Sequence, residues 1–273
     1  MKRTHTTWMM RQPKMAWAMG LLMLAGWSTP MVAQDKSAPV KGTTTAAALP
    51  TGETLMDDYT EAIGGKKAIE KFRTRRSEGT FEMKAVGLSG TLELVQAEPD
   101  KMLIKIDLPG IGKIENGFDG ETAWENSIAT GARVLEGEEK NQLARRALFA
   151  ADSQWRKVYE TATTRGEDKI GDRAVWVVEL KPIGSDKPQT NFFDKETKLL
   201  LKIKMTAVSP MGDIAVESDF SDYREVDGIK MPFVTQQTVL GQTQTMTFTR
   251  IVHDEKIDEA VFAFKAKKPS GSK

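Results

Sequence analysis

Cysteine is absent from all 273 residues. That removes disulfides, thiolate metal sites and thiol nucleophiles together, along with the lipid-modified cysteine that would tether an exported lipoprotein. Histidine is almost as scarce, with His5 and His253 alone. A zinc site needs several His, Cys or carboxylate ligands in one shell, and neither a His-Glu-x-x-His pattern nor a cysteine pair is present. No serine sits in a Gly-x-Ser-x-Gly elbow, so His253, next to Asp254, reads as a surface or structural group rather than as a triad base. No apolar run reaches the roughly 20 residues that a bilayer-spanning helix needs. The glycines at 110, 112, 117 and 120 lead into no Gly-Lys-Ser/Thr or Gly-x-Gly-x-x-Gly helix entry, so no nucleotide cofactor is implied.

What the N-terminal end does contain is a basic stretch, with Lys2, Arg3, Arg11 and Lys14 and no acid, running into the apolar segment Met15 to Ala25 and a polar break at Ser28-Thr29-Pro30. This order predicts a signal peptide over residues 1–33, cut after Ala33, and a protein exported to the periplasm and soluble after cleavage. Cleavage would lower the formal net charge from +1 to −3. A mildly acidic chain lacks the positive excess that nucleic-acid binding requires, so nucleic acid is excluded as a partner class. Residues 34–51, rich in Lys, Ser, Thr, Ala and Pro, read as a flexible leader, 52–264 as one domain, and 265–273 as a flexible tail.

From Glu53 the apolar residues Leu55, Tyr59, Ala62 and Ile63 recur at helical spacing. Gly64-Gly65 interrupts them before Ala68, Ile69 and Phe72 resume a stripe, which predicts two short helices with a bend between them. The period then changes to two. Phe81 and Met83, Leu92 and Leu94, and Met102, Ile104 and Ile106 alternate with polar residues, with Leu103 the exception. One apolar and one polar face per strand is the pattern of antiparallel sheet with one side in water. Pro109-Gly110, Asp119-Gly120, Asp227-Gly228 and Gly241 mark turns. A further helix is predicted from Glu138 to about Ser153, with Leu143, Ala147, Ala150 and Ala151 on its stripe, before strands resume. The expected fold is mainly β with α: one large curved antiparallel sheet, an incomplete β-barrel of about 11 strands, with the helices laid into its concave side.

The carboxylates Asp119, Glu121, Glu125, Asp219, Asp222 and Asp227 sit by turns and on polar strand faces, where acids solvate a surface, and no catalytic residue is assigned. Large apolar side chains offer more. Leu55, Tyr59, Ile63, Met83, Met102, Ile104, Trp124, Leu143, Trp176, Met205 and Phe248 are the candidates for lining an apolar cavity, methionine being flexible enough to suit a chain-like ligand. Gly64 and Gly65 are the candidate hinge of a helical lid.

Four segments carry a resemblance: Asp58-Tyr-Thr-Glu-Ala-Ile-Gly-Gly-Lys-Lys-Ala-Ile-Glu-Lys-Phe72, Phe118-Asp-Gly-Glu-Thr-Ala-Trp124, Phe193-Asp-Lys-Glu-Thr-Lys-Leu199 and Asp222-Tyr-Arg-Glu-Val-Asp-Gly-Ile-Lys-Met-Pro-Phe233. Over residues 52–264 the chain resembles the outer-membrane lipoprotein-sorting-like proteins, akin to the periplasmic lipoprotein carrier and its outer-membrane receptor. The resemblance implies an open antiparallel barrel of about eleven strands with helices over its mouth. It also implies a hydrophobic ligand, either a lipid or acyl chain or the lipidated end of another protein, and an envelope membrane-protein partner. The arginine with which the carrier holds its helical lid has no matching position; Arg73, Arg145 and Arg146 correspond by type only. The function expected is a noncatalytic binding or carrier protein. The alternative is an envelope interaction module with a filled core and no internal ligand.

Overall fold

The structure is a computed structural model that describes residues 49–128 and 130–265. The expected signal peptide, most of the leader and nearly all of the tail lie outside the described residues.

Alternation drives the residues from Thr74 onward into strands. In β1 (Thr74–Met83), Arg75, Ser77, Phe81 and Met83 turn to one face while Arg76, Glu78 and Glu82 turn to the other. Twelve more strands follow among the described residues: β2 (Leu88–Ala97), β3 (Lys101–Leu108), β4 (Gly112–Phe118), β5 (Ala123–Ser127), β6 (Gly131–Val134), β7 (Tyr159–Ile170), β8 (Arg173–Pro182), β9 (Gln189–Asp194), β10 (Leu200–Ser209), β11 (Gly212–Val226), β12 (Ile229–Val239) and β13 (Gln242–His253). They form one sheet in the order β6-β5-β4-β3-β2-β1-β13-β12-β11-β10-β9-β8-β7, every neighbour antiparallel. The β1–β13 pair joins the two ends of the meander, and β6 and β7 are left as unpaired edges, so the barrel stays open.

Thirteen strands exceed the eleven expected. The short β6, Gly-Ala-Arg-Val, carries no apolar alternation to announce it, and β7 continues past Thr161 to Ile170 through a largely solvent-facing Thr-Arg-Gly-Glu-Asp-Lys stretch. The turns fall where their residues place them. The Asp119 carboxylate accepts hydrogen bonds from the Glu121 and Thr122 amides (3.0 and 2.7 Å) in the β4–β5 hairpin, and Asp194 does the same for Glu196 and Thr197 in the β9–β10 hairpin.

Three helices fill the concave side. Thr51 caps α1 (Gly52–Ala62) by accepting from the Thr54 amide (3.1 Å), and Leu55, Met56 and Tyr59, with Ile63 at the C-cap, are buried against the sheet. Gly52 sits so close to the Ala162 backbone of β7 that a β-carbon there would collide with it. The second helix, α2 (Gly65–Ile69), is a single turn ending before Phe72. The third, α3 (Gly137–Ala147), ends earlier than the sequence suggests. Residues 148–154 leave the helix as turns, although Phe149 and Ala150 stay buried. Because α3 lies in the segment joining β6 to β7, it links the two open edges of the barrel.

The convex face is polar and laced with ion pairs, Arg76–Glu93, Lys202–Glu217 and Arg250–Glu78 among them. Two patches depart from this: one is Val175, Phe192 and Leu201 on β8 to β10, and the other lies beneath the C-terminal segment. Val95, Ala97, Leu103 and Trp124 point outward and are buried beneath the C-terminal segment, whose Phe262 is fully buried and whose carbonyl accepts a hydrogen bond from the Trp124 indole (2.7 Å). Leu103, the exception to the alternation of β3, belongs here.

A hollow strapped by a helix

Three apolar clusters line the concave side. Leu55 and Tyr59 of α1, with Ile63 at its C-cap, pack on Val178, Leu180 and Phe193 of β8 and β9. Leu143 and Ala147 of α3 pack on Met102, Phe118 and Ala123 of β3 to β5. The third, Phe81, Met83, Leu92 and Leu108 with Ile104 and Phe248 against them, contains no helical residue. At the margins of these clusters the apolar side chains of Leu94, Ile104, Phe220 and Phe248 are only partly buried, as is Met205 on β10. All five share the inward face: Leu94 pairs with Ser77 and Ile104, Phe248 with Gly79, Met205 with the buried Val216, and Phe220 packs on the α1 cluster. The hollow is therefore lined with apolar surface that the helices do not fully cover.

α3 is clipped across this hollow at both sides. Near its start, Arg133 on β6 donates from Nε to Glu125 of β5 (2.7 Å) and from both terminal nitrogens to Glu139 (2.9 and 2.6 Å). Those two carboxylates hold the Arg133 guanidinium above its ordinary pKa despite partial burial. On the other side, the Gln142 amide donates to the Thr206 carbonyl (2.9 Å) and accepts from the Val208 amide (3.1 Å) of β10. Glu138 accepts from Arg145 (2.5 Å) and from Ser185 in the β8–β9 loop (2.8 Å).

Beyond the C-terminal end of α3 lies a small mixed pocket of about 50 Å³, lined by Tyr59, Arg75, Asp152 and His253 and by apolar side chains, Phe72 and Phe149 among them. It has room for a few water molecules and none for an acyl chain. Arg75 donates to the Phe149 carbonyl (3.3 Å) and to the Met231 sulfur (3.6 Å), leaving its Nε without a partner. His253 on β13 pairs across the strands with Arg75, stacks on Phe72 (4.2 Å between centroids) and shares a hydrogen bond from Nδ1 with Asp227 (2.9 Å). Its side chain is 2 % exposed and its Nε2 is unpartnered. Burial, with Arg75 nearby, lowers the His253 pKa against the pull of Asp227. Asp152 is ringed by protein yet its surface is reachable by solvent, as befits the wall of a concavity. Desolvation raises its pKa and Arg75 offsets part of the rise. The Tyr59 phenol is pushed well above its ordinary value by burial and by Asp152, and Tyr159 is pushed up to about 12 mainly by burial. A wider groove of about 570 Å³ runs along the start of α1 beside Trp155, Tyr159 and Ile183.

The residues singled out from the sequence are thus distributed rather than gathered. Leu55, Tyr59 and Ile63 lie in the α1 cluster with Trp176 packed on its margin, Met102 and Leu143 lie under α3, and Met83, Ile104 and Phe248 lie in the third cluster. Met205 stands half-buried on β10, and Trp124 is on the opposite face of the sheet beneath Phe262. Gly64 and Gly65 both have positive φ, at 132° and 78°. A β-carbon on Gly64 would collide with the Gly228 carbonyl, and the Lys230 amide donates to the Ile63 carbonyl (2.8 Å), so the junction is docked on the β11–β12 hairpin. The sequence does not signal Arg75, Asp152 or the Glu125–Arg133–Glu139 bridge, because the partners in each case stand on different elements. It sets His253 beside Asp254, but that carboxylate accepts from the Arg73 amide (2.7 Å) instead. Among the described residues no group of three His, Asp or Glu side chains is arranged to hold a metal ion, and no helix is long and apolar enough to cross a membrane.

The fold has counterparts among solved structures. A DUF1329 family protein from Desulfovibrio piger superposes with a TM-score of 0.53 at 13 % identity, over 79 % of this chain and 98 % of that one. The fold is shared with the LolA superfamily. A member from Nitrosomonas europaea gives 0.51 at 12 % identity over 79 % of this chain and 98 % of its own. A domain named for outer membrane lipoprotein sorting, from Vibrio parahaemolyticus, gives 0.50 at 13 % identity over 77 % and 97 %. At such identities the likeness is one of fold. No family model matches the chain, and no curated protein matches it.

Proposed function

We propose that this LolA-like protein is a noncatalytic periplasmic carrier that holds an acyl chain, as a lipid or as the lipidated end of another protein, in the hollow beneath α3. The observation that carries the reading is the half-buried inward row of Leu94, Ile104, Met205, Phe220 and Phe248. A core that served only stability would bury these side chains, because each methylene removed from water is worth about 0.8 kcal/mol. An acyl chain laid along them would complete that burial, and flexible methionine suits a ligand of variable shape. The basic and apolar N-terminal order supports export, and the shared fold supports the carrier class.

The test is to purify the protein from the envelope without detergent, extract it with organic solvent and identify the extract by mass spectrometry, then titrate the delipidated protein with a fluorescent fatty-acid probe. A stoichiometric copurified lipid and saturable probe binding are expected. An empty extract together with no probe binding would leave a filled interaction module as the better description.

A further inference from the structure

Arg146 stands alone on the inner face of α3. At 100° per residue it lies between Gln142, which bonds to β10, and Leu143, which packs on β3 to β5. Its side chain therefore leaves the helix toward the hollow between those two anchors. Protein surrounds it, and the desolvation lowers its pKa with no compensating charge, yet its surface is exposed, as a group in an open concavity must be. It makes no hydrogen bond, ion pair or ring contact among the described residues. The neighbouring cations differ: Arg133 is held by Glu125 and Glu139, Arg145 by Glu138, and Arg75 is offset by Asp152. Glu139, the acid on the same face, is about 10 Å back along the helix and already bridged to both terminal nitrogens of Arg133. One uncompensated positive charge thus leaves α3 on the side of the partly buried apolar row.

A guanidinium held in an apolar hollow without a partner is a cost to the empty protein that an anion would relieve, and its planar fork matches a carboxylate. We propose that Arg146 is the head-group site of the hollow and that its ligand is a long-chain carboxylate, one negative charge on an apolar tail. This rests on the carrier reading and narrows it, because the ester- and amide-linked chains of a lipidated protein bring no such charge.

The test measures competition of hexadecanoate, methyl hexadecanoate and acetate against Nile red on the delipidated protein at pH 8. The native protein is expected to bind hexadecanoate about 10- to 100-fold more tightly than the ester, the range of a charge-assisted hydrogen bond, and not to respond to acetate. Arg146→Met should erase the preference while keeping the affinity for the ester, and Arg146→Lys should retain part of it. The thermal midpoint of Arg146→Lys should stay near that of the native protein and that of Arg146→Met should equal or exceed it, since no polar contact is lost and the desolvated charge is removed. Equal binding of acid and ester by the native protein, an undiminished preference in Arg146→Met, or displacement by acetate would overturn the proposal. Failure of acid and ester alike to bind would instead remove the carrier reading on which it stands.

Discussion

His253 shows how much one side chain can depend on where the fold puts it. As the histidine of the described domain, beside an aspartate, it reads as a surface or structural group, and the structure makes it the second. In the structure its ring is stacked against Phe72, with Asp227 fixing Nδ1 and nothing on Nε2. Because burial lowers its pKa below 6.5, the unfolded chain binds the proton more readily. Its contribution to stability is therefore whole above the unfolded pKa and is lost as pH falls below 6.5 toward the lower folded value. Asp152 has the opposite slope, since its folded pKa is raised: it favours the fold at low pH and loses that advantage as pH climbs above about 3.8. Denaturation midpoints at pH 7.5, 6.5 and 5.5 should fall toward acid in the native protein and fall less in His253→Asn, whose amide can still donate to Asp227. An identical decline in both would show that other groups set the acid sensitivity. The Arg146 charge is legible at this scale only with the helix in place, because in the sequence Arg145-Arg146 is simply a pair of good helix formers.

At the scale of elements, the strands are the most legible part of the chain. Phe81 and Met83, Leu92 and Leu94, and Met102 and Ile104 alternate in the sequence and face inward in the sheet, and the Asp-Gly turns sit between the strands they are expected to join. Side assignment fails where both faces are covered. Trp124 follows the inward Ala123 and so points outward, and only the C-terminal segment, more than 130 residues later, makes that side apolar. Phe262→Ala should cost about 3–5 kcal/mol, as for other fully buried aromatic truncations, and should shift Trp124 emission to the red. A change within about 0.5 kcal/mol in a urea titration would mean that the segment is not part of the folded unit. The Gly64-Gly65 junction is a second case. With positive φ at both residues and the Gly228 carbonyl against Gly64, alanine there brings strain and a clash rather than a relief of unfolded-state entropy. Gly64→Ala is expected to destabilise by about 1–3 kcal/mol, and Gly65→Ala by less, its nearest neighbour being the flexible Glu61 side chain. Equal or increased thermal midpoints would contradict that.

The whole molecule is a sheet too wide to be flat and too open to be a closed barrel, with the chain between its two free edges drawn across the mouth. The sequence carried the curved sheet and its covering helices, because amphipathic strands and apolar helical stripes must share one interior. It did not carry the strap, because Glu125, Arg133 and Glu139 meet only once β5, β6 and α3 have formed. Nor could composition separate a hollow from a core, since the same Met205 or Phe248 serves either. The half-buried inward row bears on that question physically, and it marks where an occupant would lie. The most direct measurement is a titration of the delipidated native protein and of Met205→Trp with a fluorescent fatty acid. The larger indole side chain would project into the space that the ligand is held to occupy. Saturation of the native protein near one probe per chain is expected, with at least tenfold weaker binding to a variant whose thermal midpoint is unchanged or raised. No saturable binding to the native protein, or equal binding to both, would contradict a ligand-holding hollow.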